Sequence, residues 1–220
     1  MFCLSRQMSI FEKNRPLLMN HLAHLFLSGD NEDLAIGNFV ADFISNRDLP
    51  QFTEGVKRGI MLHRKIDAFT DAHPSVKQST KRLHPFHHKY SPVIVDIYYD
   101  FLLAKNWEKY SKGDPSVWND EIRLFVDKMY NILTNRKLEL PLKLRNRLPH
   151  MISDDWLMRY TTFEGLHGAF LRIEKAAAFP GNFGNAAEHL EMFLDEFDAE
   201  FNVFFPDLQR HVAQFEHLLG

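Results

Sequence analysis

The chain has 220 residues, 45% of them hydrophobic, with 20 Phe against only 10 Gly and 10 Pro; this excludes a disordered chain or a turn-rich β protein and leaves material for a substantial core. A net charge of -3, from 26 Lys and Arg against 29 Asp and Glu, gives no overall attraction to nucleic acid. The single cysteine, Cys3, excludes an internal disulfide and a cysteine metal site, and predicts a reducing, cytoplasmic compartment.

Residues 1–18 carry Arg6, Lys13 and Arg15 among apolar residues, with neither a bilayer-spanning run nor a small-residue cleavage site, so no membrane association is expected. Met19 directly precedes the patterned sequence. Residues 1–18 therefore read as an N-terminal extension outside the fold, and 19–220 as a single helical domain. From there apolar positions repeat at three- and four-residue spacing without sustained two-residue alternation, which predicts an all-α, single-domain helical bundle. The pattern predicts helices near residues 20–28, 33–46, 51–72, 75–84, 92–111, 115–134, 154–160, 163–178 and 186–203. Ser91-Pro92 and Asp114-Pro115 each put a capping side chain before a proline at the first helical position. Thr161 with Glu164, and Asn185 with Glu188, have the spacing of an N-terminal cap. Residues 135–149, basic through Arg136, Lys137, Lys143, Arg145 and Arg147 and interrupted by Pro141, read as an irregular solvent-facing connection, or else as a docking surface for an acidic partner.

His21, His24, Asp42, His63, Asp67, Asp71, His73, Asp96 and Asp100 all precede the middle of the chain. Imidazole nitrogen and carboxylate oxygen together suit a hard or borderline divalent ion. In NHLAHLFL (residues 20–27) His21 and His24 lie three apart, roughly on one helix side. His24 reads as a ligand or a satisfied core histidine, His21 as a ligand or an exposed residue. In AIGNFVADFI (35–44) Asp42 interrupts an apolar helix pattern, where a carboxylate needs solvent, a donor or a cation; Gly37 and Asn38 read as a packing contact or a helix boundary.

In GIMLHRKIDAFTDAHP (59–74) His63, Asp67 and Asp71 recur every four residues and form one polar stripe, while Ile60, Ile66 and Phe69 cover a core-facing side. Such a stripe can hold a metal, set a histidine tautomer, position water or simply face solvent. Arg64 and Lys65 add positive charge suited to phosphate oxygens, Arg by a bidentate fork. His73-Pro74 closes this helix and leaves His73 to its C-terminus. In SPVIVDIYYDFLLAKNW (91–107) Asp96 and Asp100 are four apart on a largely apolar helix. Two like charges there require a cation between them, or a basic side chain such as Arg64 or Lys65.

The chain contains no G-x-x-x-x-G-K-S/T loop, no strand-linked G-x-G-x-x-G and no H-E-x-x-H, which excludes P-loop, dinucleotide-binding and zincin chemistry. Metal-assisted hydrolysis on helices remains. NHLAHLFL after Met19, GNFVADF, GIMLHRKIDAFTD and VDIYYDFLLAKNW, in that order and followed by DDWLMRY (154–160) and FFPDL, resemble the acyl carrier protein phosphodiesterases, or acyl carrier protein hydrolases, over residues 19–208. The chain departs from the pattern of some relatives, which carry histidine where this one has Phe26 and Phe101. The paired His-Asp of HD enzymes is replaced by Ala41-Asp42.

The resemblance implies a helical fold distantly related to HD-domain phosphohydrolases. It also implies manganese-supported cleavage of the phosphodiester between 4′-phosphopantetheine and a serine of holo acyl carrier protein, with magnesium as the other metal considered. On matching positions it implies His24, Asp42 and Asp100 as metal ligands, with Asp71 and Asp96 close behind. His63, oriented by Asp67, would move a proton or hold phosphate, and Arg64 would neutralise charge on the nonbridging oxygens. Because carrier proteins are acidic, Lys77, Lys81, Arg82 and Lys89, with His84, His87 and His88 between them, are the expected docking segment. Two other readings stand beside this one: an HD-like phosphohydrolase of a nucleotide or other small phosphodiester, and a non-catalytic carrier-protein-binding module.

Overall fold

The computed structural model describes residues 21–111, 118–176 and 181–219. Among the described residues every regular element is helical, as the three- and four-residue spacing predicts. None of these helices is long and apolar enough to cross a membrane. The chain divides into two compact units, one of residues 21–66 and 106–158, the other containing 67–105 and the described residues from 159 onward. The division falls within one helix, between Ile66 and Asp67.

The first unit opens with α1 (His21–Phe26) and α2 (Glu32–Val40). Asn31 caps α2, its side chain accepting from Leu34 N at 3.1 Å, and Glu32 and Asp33 lie in the positive first turn. Every residue from Leu34 to Val40 is buried. The helix stops sooner than its apolar pattern suggests. A 3₁₀ turn, Ala41–Phe43, follows, and Ile44 is extended. The Ser45–Asp48 capping box then opens a second 3₁₀ segment, Asn46–Gln51.

Helix α3 (Glu54–Ala72) crosses α2 with backbone almost on backbone. A Cβ on Gly37 would lie 2.1 Å from Val56 O and 2.7 Å from Gly59 Cα, so only glycine permits this approach. The crossing sets the residue after Gly37 against the turn of α3 that follows Gly59. The same unit holds α6 (Trp107–Tyr110), α7 (Trp118–Asn135), α8 (Leu142–Ser153) and α9 (Trp156–Arg159) up to the division.

Helix α8 corrects the expectation of an irregular connection over 135–149. Leu140, Leu144, Leu148 and Met151 are buried at four- and three-residue spacing, and that apolar stripe outweighs the basic composition. Pro141 interrupts nothing, because it occupies the N-cap position. Arg136 is tied to Asp33 at 2.6 Å and Glu139 at 2.7 Å, and Arg145 donates to the carbonyls of Leu138 and Leu140.

The second unit contains the end of α3, α4 (Pro74–His87), α5 (Ser91–Lys105), α10 (Phe163–Ala176), α11 (Ala186–Met192) and α12 (Leu194–Leu219). Tyr90, Tyr98, Phe170, Phe183, Phe197, Phe201 and Phe205 are its large, fully buried aromatic side chains. Predicted helix 186–203 is two helices broken at Phe193, and α12 continues through Pro206. Predicted helix 92–111 breaks at Asn106. Thr162, rather than Thr161, caps α10 by accepting from Gly165 N at 3.1 Å. Asp114-Pro115 lies outside the described residues.

His73-Pro74 closes α3 as expected, the His73 N–H reaching Phe69 O at 3.0 Å, but the His73 ring turns forward and accepts from Ser75 N to cap α4. The expected docking segment splits by burial. Arg82 is ion-paired to Glu200, which also accepts from Ser79, and His87 is buried against His189 at 2.9 Å. Lys77, Lys81 and Lys89 remain exposed.

Candidate metal centre

Three side chains converge where α1 and α3 carry histidine. One ligand atom from each of His24, His63 and Asp67 lies within 4.8 Å of those of the other two. Asp67 follows the division within α3 but rides the same uninterrupted helix, one turn beyond His63. The two imidazoles are buried, at 1% and 2% exposure, and stack with centroids 4.1 Å apart and planes inclined by 22°. The polar stripe of α3 thus runs outward, from buried His63 through half-buried Asp67 to exposed Asp71.

Asn38 lies between the histidines and is fully buried. Its Oδ1 is 2.7 Å from His24 Nδ1 and 3.1 Å from His63 Nδ1. Its Nδ2 donates to the His24 carbonyl at 2.7 Å and to Ser28 Oγ at 3.1 Å, and Ser28 in turn donates to that carbonyl. Its neighbour Gly37 makes the close approach that brings Asn38 to α3.

Asp42 arrives on the 3₁₀ turn after α2, with Oδ1 3.4 Å from His63 Nε2. Burial acts to raise its pKa. The field of His63, their hydrogen bond and the fields of His21 and His24 outweigh burial and hold it well below the usual carboxylate range. Asp42 therefore contributes a permanent negative charge beside the imidazoles.

Of the two readings of His21, ligand or exposed residue, the structure removes the second, since His21 is buried at 4%. It sits against Phe39 at 4.5 Å and Phe43 at 6.4 Å. Burial pushes its pKa down to about 3, against an opposing pull from Asp42. Its Nε2 has no hydrogen-bond partner among the described residues.

The remaining candidates are placed differently. Arg64 donates to Asn46 Oδ1 at 2.8 Å, which holds its guanidinium over the segment after Asp42. Asp100 is fully buried on α5 in the other unit and is not a member of the three-residue group. There, burial first and this carboxylate second push the Tyr160 hydroxyl up to about 12. Asp96 is half-buried on the same helix. Phe26 and Phe101 are packing residues, Phe26 against Trp107 at 5.1 Å and Phe125 at 6.2 Å, Phe101 against Phe163 at 4.7 Å.

Two imidazole nitrogens and a carboxylate oxygen, with a second ionised carboxylate beside them, are a chemically suitable donor set for a divalent ion. Sequence reasoning found four of these residues and read Asn38 only as a packing contact or a helix boundary. The available signal was an amide inside the uninterrupted apolar run of α2, which cannot be buried without partners.

A family model described as "Acyl carrier protein phosphodiesterase" matches residues 19–208. The curated relatives include proteins of that name from Pectobacterium atrosepticum, 27% identical over 80% of this chain and 90% of the relative. One from Yersinia pestis is 28% identical over 87% and 96%, and one from Yersinia enterocolitica 29% over 79% and 89%. No solved structure matches the chain significantly.

Proposed function

The chain belongs to the acyl carrier protein phosphodiesterase family, and from that premise we propose how its residues serve the reaction. It is a phosphoric diester hydrolase, and its substrate is holo acyl carrier protein, from which it releases 4′-phosphopantetheine to leave the apo form. The observation that carries this assignment to a site is the convergence of His24, His63 and Asp67 within 4.8 Å, inside the stretch that matches the family.

These three side chains, with Asp42 beside His63, would hold a divalent cation, manganese or alternatively magnesium. When bound, such an ion polarises the phosphodiester and lowers the pKa of an attacking water. The protein's own contributions can be derived separately. Two carboxylates offset the charge of a divalent ion, and Asp42 stays ionised throughout the working pH range. The buried imidazoles exclude bulk water from one side of the centre, which strengthens every charge interaction within it. Arg64, restrained by Asn46, donates to nonbridging oxygens as charge develops on them.

This reading moves His63 and Asp67 from proton transfer and orientation into the ligand set. Asp100, fully buried on α5, stays a candidate ligand on the family resemblance alone. Chelation should abolish hydrolysis and added manganese restore it; Asp42→Ala should need far more manganese for the same rate. Full activity of metal-free Asp42→Ala would overturn the proposal.

A further inference from the structure

The atoms around Asn38 admit one arrangement of protons. The atom 2.7 Å from the His24 carbonyl must be the amide nitrogen, because a carbonyl oxygen only accepts. The other amide atom is therefore Oδ1, which carries no hydrogen and lies 2.7 Å and 3.1 Å from the Nδ1 atoms of His24 and His63. Two contacts to an acceptor require two donors, so both Nδ1 atoms are protonated. In a neutral imidazole each Nε2 is then a bare lone pair, the form a metal takes. While the ring is charged, the Nε2–H of His63 faces Asp42 Oδ1 at 3.4 Å, opposite the nitrogen held by Asn38, and that proton, not the one on Nδ1, is the one a cation replaces.

We propose that Asn38 is a positioning residue that, through one carbonyl oxygen, fixes both His24 and His63 as Nδ1–H tautomers and so presents two Nε2 lone pairs to the cation. Free histidine in water favours the opposite, Nε2–H tautomer, so this arrangement is imposed by the fold. One amide serves both rings because they stack at 4.1 Å, close enough for a single oxygen to span both Nδ1 atoms. Asn38 is held in turn by the His24 carbonyl and Ser28, so every polar atom of the amide has a partner. The gain is pre-organisation: neither ring must exchange its proton before binding.

The inference rests on the metal-centre reading but is tested without substrate. Long-range ¹H–¹⁵N correlation spectra of the metal-free protein at mildly alkaline pH report the tautomer of each histidine. The parent should show Nδ1–H at both His24 and His63. Asn38→Leu should lose that signature and bind Mn²⁺, followed by electron paramagnetic resonance, about 10–100-fold more weakly. Asn38→Asp keeps an acceptor for both rings but sets its second oxygen against the His24 carbonyl, so it should retain Nδ1–H at both histidines while melting below the parent. An unprotonated Nδ1 at either histidine of the parent overturns the proposal, as does an Asn38→Leu protein with parental tautomers and affinity. If Asn38→Leu does not fold, the parent spectrum and Asn38→Asp decide. Correct tautomers in a protein that cleaves no phosphodiester would sink the function and leave this inference standing; cleavage with the wrong tautomers would do the reverse.

Discussion

Gly37→Ala should dismantle the metal centre without touching any of its ligands. The added Cβ would lie 2.1 Å from Val56 O, 2.7 Å from Gly59 Cα and 2.8 Å from Ile60 N, all backbone atoms that no rotamer change can move. Restoring a van der Waals separation of about 3.5 Å requires α2 and α3 to part by roughly 1–1.5 Å. Asn38 is the next residue, and its 3.1 Å contact to His63 Nδ1 would open beyond hydrogen-bonding distance. Overpacking costs about 1–3 kcal/mol and the orphaned buried donor about 1–3 kcal/mol more. At about 2–4 °C per kcal/mol for a chain of this size, melting should fall by roughly 10 °C. Calorimetry of the metal-free variant measures that loss, and Mn²⁺ titration should show binding weakened at least tenfold, on the order expected when a histidine ligand loses its supporting hydrogen bond. A variant that melts with the parent and binds Mn²⁺ equally would refute the account of the α2–α3 crossing.

Gly168→Ala is the contrasting case: its Cβ meets only the flexible tip of Arg172 at 3.5 Å, so on α10 it should stabilise by up to about 1 kcal/mol, as read from the urea midpoint; destabilisation would show a constraint there that the packing does not contain. His21 titrates near 6.5 when unfolded and near 3 in the fold, so between those values only the unfolded chain takes up the proton. Its stabilising effect is complete above the unfolded value and declines as pH falls through that window, by about 1.4 kcal/mol per pH unit. His21→Phe, which keeps the aromatic contacts with Phe39 and Phe43, should fold at least as well and show a shallower loss of stability between about pH 7 and pH 5; an unchanged slope would contradict it. Glu200→Leu should cost about 2–3 kcal/mol, less than a fully buried pair because the Arg82 side chain is 22% exposed. Adding Arg82→Met should recover most of that loss in thermal melts, and failure to recover would assign the cost to the Ser79 contact instead.

The helical class and the locations of His24, His63 and Asp67 were legible because each follows from local periodicity. A four-residue interval puts His63 and Asp67 on one stripe wherever that helix packs. Asn38 was not legible in the same way. Its function depends on the distance between α2 and α3, set by Gly37 and Gly59, which no spacing along the chain encodes. Asp42 was recognised as a carboxylate in need of a partner, yet it was expected on a longer helix, because the apolar run of α2 does not show that the chain turns at Ala41. Helix α8 was hidden by Pro141 and a cluster of basic residues, which compose a loop equally well until Leu144, Leu148 and Met151 find a core. The exposure of His21 was misjudged because its burial comes from aromatic neighbours brought by α2 and the following turn.

The most direct test is the intact mass of holo acyl carrier protein after incubation with the parent protein and manganese. The account predicts conversion to the apo carrier with release of 4′-phosphopantetheine, and no conversion by His63→Ala under the same conditions. A holo carrier whose mass is unchanged by the metal-loaded parent, or is lost equally with His63→Ala, would contradict it.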